Sequence, residues 1–273
     1  MFEQAGSKIA LGIEYNGTAY AGWQFQAGLP SVQGVLEAGL AVIADQPLTV
    51  HCAGRTDAGV HAFEQVVHFE APVARPLQAW VRGCNTHLPS DVRVLWAKTV
   101  SETFHARYSA IARCYRYCIL NRAVASALHT GRLSWVHQPL DAQRMHHAAQ
   151  ALLGEHDFSS FRAHSCQSHS PNRLMHFIDI YRQQDQVIID ICANAFLHHM
   201  VRNIVGALIE VGSGKQTPSW IGELLMLKDR TRAAMTAPAD GLHLLAVYYP
   251  RHYGLAQHPV FERLPANVAR FEP

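Results

Sequence analysis

The chain lacks a long hydrophobic run, closely spaced cysteines and any strong excess of charge. Its most apolar stretch, Val187 to Met200, is interrupted by Asp190 and two histidines, and no basic-then-apolar leader opens the sequence. These features argue against a membrane-spanning helix and favour a cytoplasmic protein with no membrane partner. The 6 cysteines are scattered without a Cys-x-x-Cys pair, so we expect small buried side chains rather than a disulfide framework.

Nucleotide-binding and metal-binding signatures are also missing. The stretch VGSGKQT, Val211 to Thr217, lacks the first glycine and the final Ser or Thr of a phosphate-binding loop, and its two glycines are typical of a helix end. The chain has 18 histidines, but the pairs His146–His147 and His198–His199 are adjacent, and adjacent residues of a helix point about 100° apart. The sequence therefore predicts no metal site.

Acidic residues are absent from two long stretches, although the net charge is only +2. The first stretch runs from Thr103 to Leu140 and the second from Phe158 to Ile178. Between them they hold several arginines: Arg107, Arg113, Arg116, Arg122, Arg132, Arg162 and Arg173. Such blocks are either solvated faces or surfaces that meet phosphate, and composition alone leaves both interpretations open.

The apolar periodicity predicts the order β-α-β-β-α-β in the first half of the chain. Lys8 to Tyr15 alternates as a strand, and Ser31 is typical of the residue that caps a helix. The later elements are strands near 48–53 and 65–70, a helix beginning at Pro76 and a strand through 92–96. We assign this half to residues 1–105.

The second half, residues 106–250, repeats that order with one extra helix. Its strands are predicted at 111–120, 174–182, 186–193 and 242–248, and its helices after Asp141, over 196–211 and after Pro218. Residues 251–273 show no periodicity and are assigned to a C-terminal tail. The fold class is therefore α+β, with two ferredoxin-like halves that resemble RNA-recognition modules. Two such halves are expected to join into a mainly antiparallel mixed sheet with a central RNA-binding cleft.

Two motifs carry chemistry. The first is GRTDAGVH, in which Arg55 and Asp57 lie in a loop flanked by Gly54 and Gly59. The second is FLHHMVRNIVG, in which Arg202 interrupts an otherwise apolar helix. A buried arginine without a partner is costly, so Arg202 needs a carboxylate or a phosphate, and Asp57 is the natural candidate. A purely structural ion pair is the alternative interpretation of the first motif.

At these residues the sequence resembles the TruA family of tRNA pseudouridine synthases over nearly its whole length. The matching segments are YNGTAYAGWQFQ (15–26), SVQGVLE (31–37), AGRTDAGVHA (53–62), FHARYSAIARCYRY (104–117), NAFLHHMVRNIVG (194–206) and APADGLHLLAVYYP (237–250). The resemblance implies the pseudouridine synthase fold, and conversion of uridine to pseudouridine at positions 38, 39 and 40 of the tRNA anticodon stem-loop. It also implies a homodimer that uses no metal or organic cofactor.

The resemblance assigns roles to individual residues. Asp57 matches the catalytic aspartate, Arg55 the arginine that helps extrude the base, and Tyr115 the tyrosine that stacks on it. Arg202 matches the arginine paired with the aspartate, and Leu242 an apolar pocket residue. Asn16 departs from the family, which usually has Asp there.

The acid-free stretches fit this interpretation, since Arg107, Arg113, Arg116 and Arg162 would follow the tRNA backbone. Because Arg116 alternates with Tyr117, some of these arginines must be structural. Two other interpretations remain open: a non-catalytic RNA-binding protein with paired RNA-recognition-like halves, which gives no reason for Asp57, and a metal-dependent hydrolase, against which the histidine spacing argues.

Overall fold

The computed structural model describes residues 6–264, so residues 265–273 of the predicted tail lie outside the described part. Its contacts divide the chain into two compact units. The first unit comprises residues 6–111 and 243–262, and the second comprises residues 112–242 and 263–264. The strand predicted to close the second half therefore lies, from His243 onward, in the first unit.

The first unit is built on an antiparallel sheet. Its strands are β1 (Lys8–Tyr15), β2 (His51–Cys52), β3 (His61–Glu70) and β4 (Val92–Thr99), and β10 (Leu242–Tyr248) is added from the end of the chain. The order is β4-β1-β3-β10, and β2 also pairs with β3. Only β10 is parallel to its neighbour β3, with His243 opposite His61.

Two helical segments belong to the first unit, and their starts show how well local signals predict structure. Helix α1 (Val32–Ala44) begins as expected, because the Ser31 side chain accepts a hydrogen bond from the Gly34 N–H. The segment after Pro76 is helical from Leu77 to His87, as predicted, but its middle forms a π-helical turn over Ala79–Gly83 that leads into helix α2 (Cys84–His87). Trp80 is fully buried in that turn and packs edge-on against Phe69 of β3.

The second unit has the predicted strands and two short ones that the sequence analysis missed. The strands are β5 (Ala112–Asn121), β6 (Ser134–Val136), β7 (Gly154–Asp157), β8 (Asn172–Gln183) and β9 (Gln186–Ala193), in the order β5-β9-β8-β7 with β6 paired to β5. The helices are α3 (Ala142–Ala149), α4 (Met200–Gly212) and α5 (Trp220–Leu227). The α+β class with mostly antiparallel strands is confirmed.

Two expectations about the second unit were wrong. Helix α4 begins at Met200 rather than near Phe196, because His199 adopts a left-handed backbone with φ of 60° that a helix cannot continue through. Cys114 and Cys192 are joined by a disulfide, since they lie directly opposite each other on β5 and β9. Their sequence separation of 78 leaves no local spacing from which the bond could be predicted.

Beyond Tyr248, the described part of the chain continues as two short turns, Arg251–Tyr253 and Pro259–Arg263. Val260 and Phe261 are buried. Among residues 6–264, no helix combines the length and the apolar character needed to cross a membrane.

Candidate active site

The GRTDAGVH loop of the first unit connects β2 to β3 and is fixed through the residue between its two charges. Thr56 is buried, and its hydroxyl lies 2.7 Å from the Tyr15 hydroxyl, which is also buried. The Thr56 carbonyl accepts a hydrogen bond from the Trp23 N–H at 3.0 Å. Thr56 is thus the most buried of the three residues from Arg55 to Asp57. Arg55 is exposed and Asp57 is half-buried.

Backbone and amide hydrogen bonds fix both ends of this loop. The Ala53 N–H donates to the Val66 carbonyl at 2.8 Å, and the Gln65 side chain bridges both backbone groups of Gly54. At the other end, the Gly17 N–H donates to Nδ1 of His61 at 3.0 Å. A Cβ atom at Gly17 would lie 2.0 Å from the Val60 carbonyl oxygen, so only glycine allows this approach. The loop is therefore rigid enough to hold a reactive carboxylate.

The surroundings of Cys52 show that positive charge collects near the loop. Burial raises the pKa of the Cys52 thiol to about 11, although Arg55 and Arg107 act in the opposite direction and lower it. Cys52 is therefore a neutral thiol at neutral pH and is not a nucleophile. Arg107, which is exposed, thus lies near the loop that carries Arg55, and its guanidinium stands 5.5 Å from the centre of the Tyr108 ring.

In the second unit, strand β5 separates the predicted residues by face. Arg113, Tyr115 and Tyr117 alternate onto one face, and Arg116 lies on the other. Tyr115 is half-buried, and the Phe196 ring meets it edge-on at 5.1 Å between centroids. The two rings are therefore not stacked on each other. Arg113 donates to the Asn194 carbonyl at 3.1 Å, in the segment that also carries Phe196.

Arg116 has a structural partner on the opposite face. Its guanidinium bonds both carboxylate oxygens of the buried Asp190, at 2.8 and 3.0 Å. Arg263 also contacts Asp190, at 3.4 Å, and pairs with Asp179. The expectation that some arginines of the acid-free stretch are structural is therefore confirmed for Arg116.

Arg202 lies in the first turn of α4 and is held by a neighbouring segment. Its Nε donates to the Ala237 carbonyl at 2.8 Å, and the Ala237 N–H donates back to the Arg202 carbonyl at 3.1 Å. One helical turn later, a Cβ atom at Gly206 would lie 2.0 Å from the Met235 carbonyl oxygen. The absence of a side chain at Gly206 lets this segment approach the helix.

The remaining predicted residues are placed as follows. Leu242 is buried at the start of β10, directly after the segment that holds Arg202. The Arg162 guanidinium donates to the carbonyls of Cys166 and Ser168 and so shapes the loop that follows it. Asn16 accepts hydrogen bonds from the Thr18 N–H and hydroxyl, so it caps a short turn, a role that aspartate fills equally well.

The structure places Arg55, Asp57 and Arg107 in the first unit, and Arg113, Tyr115, Arg162, Arg202 and Leu242 in the second. The pairing of Asp57 with Arg202 joins the two units and stays a prediction. Taken by itself, neither unit brings three metal-ligating side chains together among residues 6–264. Sequence reasoning missed Thr56 and Tyr15, and the one available signal was the position of Thr56 between two charges.

Comparisons with known proteins identify the family of the chain. A family model described as tRNA pseudouridine synthase matches residues 12–109 and 148–250. The chain is 54% identical over 266 residues to tRNA pseudouridine synthase A of Methylococcus capsulatus, covering 97% of this chain and 98% of that protein. It is 55% identical over 247 residues to the enzyme of the same name from Hydrogenovibrio crunogenus, covering 90% and 94%.

The chain belongs to the tRNA pseudouridine synthase family. It is accordingly an isomerase that acts on uridine in tRNA. No feature of the relatives favours the alternative of a non-catalytic RNA-binding protein.

Proposed function

We propose that this protein converts uridine to pseudouridine at positions 38, 39 and 40 of the tRNA anticodon stem-loop, with Asp57 as the catalytic aspartate. The observation that carries the proposal is the geometry of the GRTDAGVH loop. A buried threonine, bonded to Tyr15 and Trp23, lies between the exposed Arg55 and the half-buried Asp57 in a loop that hydrogen bonds fix at both ends. A structural ion pair would not need this support from the backbone.

The reaction breaks the bond between the sugar and N1 of uracil and makes a bond from the same sugar carbon to C5. The proton that leaves C5 is balanced by one that N1 gains, so substrate and product have the same composition. An ionised Asp57 attacks the nucleotide or stabilises the sugar cation while the first bond is broken. We assign to Arg202 the task of keeping Asp57 ionised where water is excluded.

The target base must first leave the helical stack, which costs a few kcal/mol. Arg55 is exposed, lies two residues from Asp57 and has a planar head that can fill the space left by the base. Tyr115 then holds the detached uracil by stacking, for about 1–3 kcal/mol. Its hydroxyl is our candidate for the group that accepts the C5 proton, directly or through water. Leu242 supplies apolar surface beneath the base.

The proposal includes the partners. Arg107, Arg113 and Arg162 follow the phosphate backbone of tRNA, so affinity falls as the salt concentration rises. We further propose that the protein works as a homodimer in the cytoplasm, as the resemblance implies. Sedimentation equilibrium of the full chain at micromolar concentration tests the dimer, and a single species with the mass of one chain would contradict it.

Release of tritium from tRNA labelled at C5 of uridine tests the reaction. We expect the wild type to release tritium with a chelator present, and the Asp57→Asn variant to release none while it still binds tRNA. Transcripts with cytidine at one of the three positions identify the targets. Turnover near the wild-type rate in Asp57→Asn would reject Asp57 as the catalytic group.

A further inference from the structure

A cleft in the second unit is lined by residues that the proposed reaction does not use. It has a volume of about 550 Å³ and is lined by Ala163, His164, Ser165, His199, Asn203, Arg230 and Thr236. None of these residues is acidic. The volume lies within the roughly 300–1,000 Å³ that is typical of small-ligand sites, so the cleft can hold a phosphate group together with the sugar attached to it.

Arg230 provides the positive charge of this cleft and is held in place by neutral partners. Its Nη2 donates to Asn203 Oδ1 and to Thr236 Oγ1, both at 3.1 Å. Asn203 is buried, and its amide nitrogen donates to the Phe161 carbonyl at 2.8 Å. These bonds use one nitrogen of the Arg230 guanidinium. The N–H donors of the other two nitrogens remain for a ligand, and they form a planar fork suited to phosphate.

Arg230 has no carboxylate partner in the part of the chain that the structure describes. Across residues 6–264, no aspartate or glutamate forms an ion pair with it, and burial lowers the pKa of its guanidinium. The neighbouring Asp229 is turned away, since its carboxylate accepts hydrogen bonds from the Thr231 N–H and hydroxyl. A half-buried cation with no carboxylate gains most from an anion supplied by a ligand.

The walls of the cleft are fixed as well. The Ala163 N–H donates to the His198 carbonyl at 3.0 Å, and the Ser165 hydroxyl lies 3.2 Å from Nδ1 of His198. Arg162 and Arg173 donate to Ser168 in the same loop, so they hold His164 and Ser165 at the rim. The residues that line the cleft thus carry additional hydrogen-bond donors, and none of them is acidic.

We propose that this cleft binds a phosphate group of the RNA backbone, with Arg230 as the anchoring residue and Ser165 at its rim. The inference rests on the proposed function, because it takes the ligand to be the tRNA substrate. The proposal adds Arg230 to the arginines that are proposed to contact the RNA backbone. It also assigns this phosphate contact to one cleft with named lining residues. Arg230 is a binding residue in this account and has no part in the chemical step.

The test compares matched arginines on one turn. Arg230 and Arg232 both lie in the turn Arg230–Arg232, but Arg232 is exposed and does not line the cleft. Fluorescence anisotropy measures binding of a labelled tRNA transcript to the full chain over a range of salt concentrations. For Arg230→Met we expect affinity to fall on the order of tenfold and the slope of log K against log salt to flatten by about one. For Arg232→Met we expect little change, and equal effects in both variants would overturn the proposal.

A second pair of variants leaves the hydrogen bonds of Arg230 intact. Ser165→Glu places a carboxylate at the rim, and Gln167→Glu places the same charge two residues away, on an exposed residue outside the cleft. We expect Ser165→Glu to weaken tRNA binding on the order of tenfold, and Gln167→Glu to weaken it much less. If Arg230→Met fails to fold, this pair decides, and equal weakening by both substitutions would overturn the proposal.

Two further measurements are needed. The first distinguishes RNA phosphate from free phosphate as the ligand, and the second distinguishes failure of the cleft proposal from failure of the proposed reaction. If inorganic phosphate raises the melting temperature of the wild type but not of Arg230→Met, while both bind tRNA with the same salt slope, the ligand is a free anion and the assignment to RNA is overturned. Tritium release at saturating enzyme should be unchanged in Gln167→Glu, which lies outside the cleft. A wild type that releases no tritium, but shows the expected binding differences, would reject the proposed reaction and leave the cleft standing.

Discussion

Arginine and aspartate come close together at two places in the molecule, which are built in different ways. Arg116 and Asp190 are distant in the chain and form an ion pair, whereas Arg55 and Asp57 are near neighbours in the GRTDAGVH loop. Asp190 is buried and bonded through its own side chain, to both nitrogens of the Arg116 fork. Asp57 and Arg55 instead flank a buried threonine, and the support comes through the backbone and the Thr56 hydroxyl. The Asp190 carboxylate is thus bonded at its oxygens to an arginine, whereas the loop that carries Asp57, our proposed catalytic residue, is fixed through its backbone and the Thr56 side chain.

Exchanging each carboxylate for an amide sharpens this comparison most. Asp57→Asn should lower tritium release by more than about 10³-fold with little change in the free energy of unfolding. Asp190→Asn should leave turnover per folded molecule near the wild-type value. It should lower the free energy of unfolding by about 2–3 kcal/mol, because Arg116 loses its partner but is partly exposed to water. Urea unfolding and single-turnover kinetics measure both quantities, and a large loss of turnover in Asp190→Asn would break the comparison.

His68 adds a third ionisable group to the comparison. It is buried, and the fold of the protein requires its ring to be neutral. Burial, together with His105, His51 and Lys8, lowers its pKa from 6.5 to about 4, and its Nδ1 accepts the Ala106 N–H. Between pH 4 and pH 6.5 the unfolded chain therefore binds more protons at His68 than the folded protein does. The stability that neutral His68 contributes is complete above pH 6.5 and is lost as the pH falls toward 4.

The stability lost over that window should be on the order of 3 kcal/mol. The measurement is urea unfolding at several pH values between 4 and 7. His68→Asn keeps an acceptor for the Ala106 N–H but removes the titrating ring, so its pH dependence should be flatter. An identical pH dependence in both proteins would show that His68 is not the group responsible.

The Thr56 anchor can be tested by removing its hydroxyl without changing its shape. Thr56→Val leaves a buried hydroxyl of Tyr15 with one partner fewer, which should cost about 1–3 kcal/mol of stability. Turnover should fall about tenfold, because the backbone that carries Asp57 is held less firmly. The double variant Tyr15→Phe/Thr56→Val should recover part of the stability but none of the turnover. Full turnover in Thr56→Val would mean that the backbone bonds alone position Asp57.

The smallest expected effect separates the two faces of β5. Arg113→Gln should weaken tRNA binding about threefold to fivefold and flatten the salt slope by about one. Arg116→Gln should change the salt slope little, because that guanidinium is committed to Asp190, and should lower stability instead. Equal salt slopes in both variants would place neither arginine on the RNA.

The sequence predicted most of the elements whose signals are local. Strand β1 follows from strict alternation, and α1 follows from Ser31 and the apolar stripe after it. The start of α4 could not be predicted, because a left-handed backbone such as that of His199 is uncommon outside glycine and no local pattern signals it. The short strands β6 and β7 are defined by their pairing with β5 and β8. They are too short to show an alternation of apolar residues in the sequence.

The candidate site shows the same limit. Asp57, Arg55, Tyr115, Arg202 and Leu242 could be named because their motifs are continuous in the chain. The anchor of Thr56 depends on Tyr15, which lies 41 residues away. Arg230 sits in the run KDRTR, which resembles the solvated end of a helix, and its cleft also requires Asn203 and Ser165 from distant segments.

Gly206 carries no functional group, yet the direction in which Arg202 points depends on it. The Ala237 carbonyl, which accepts the hydrogen bond from the Arg202 side chain, belongs to a segment that can pack against α4 only because Gly206 has no Cβ atom. Alanine at position 206 would displace this segment and move the Arg202 guanidinium with it. Gly206 thereby determines where the only cation of α4 points.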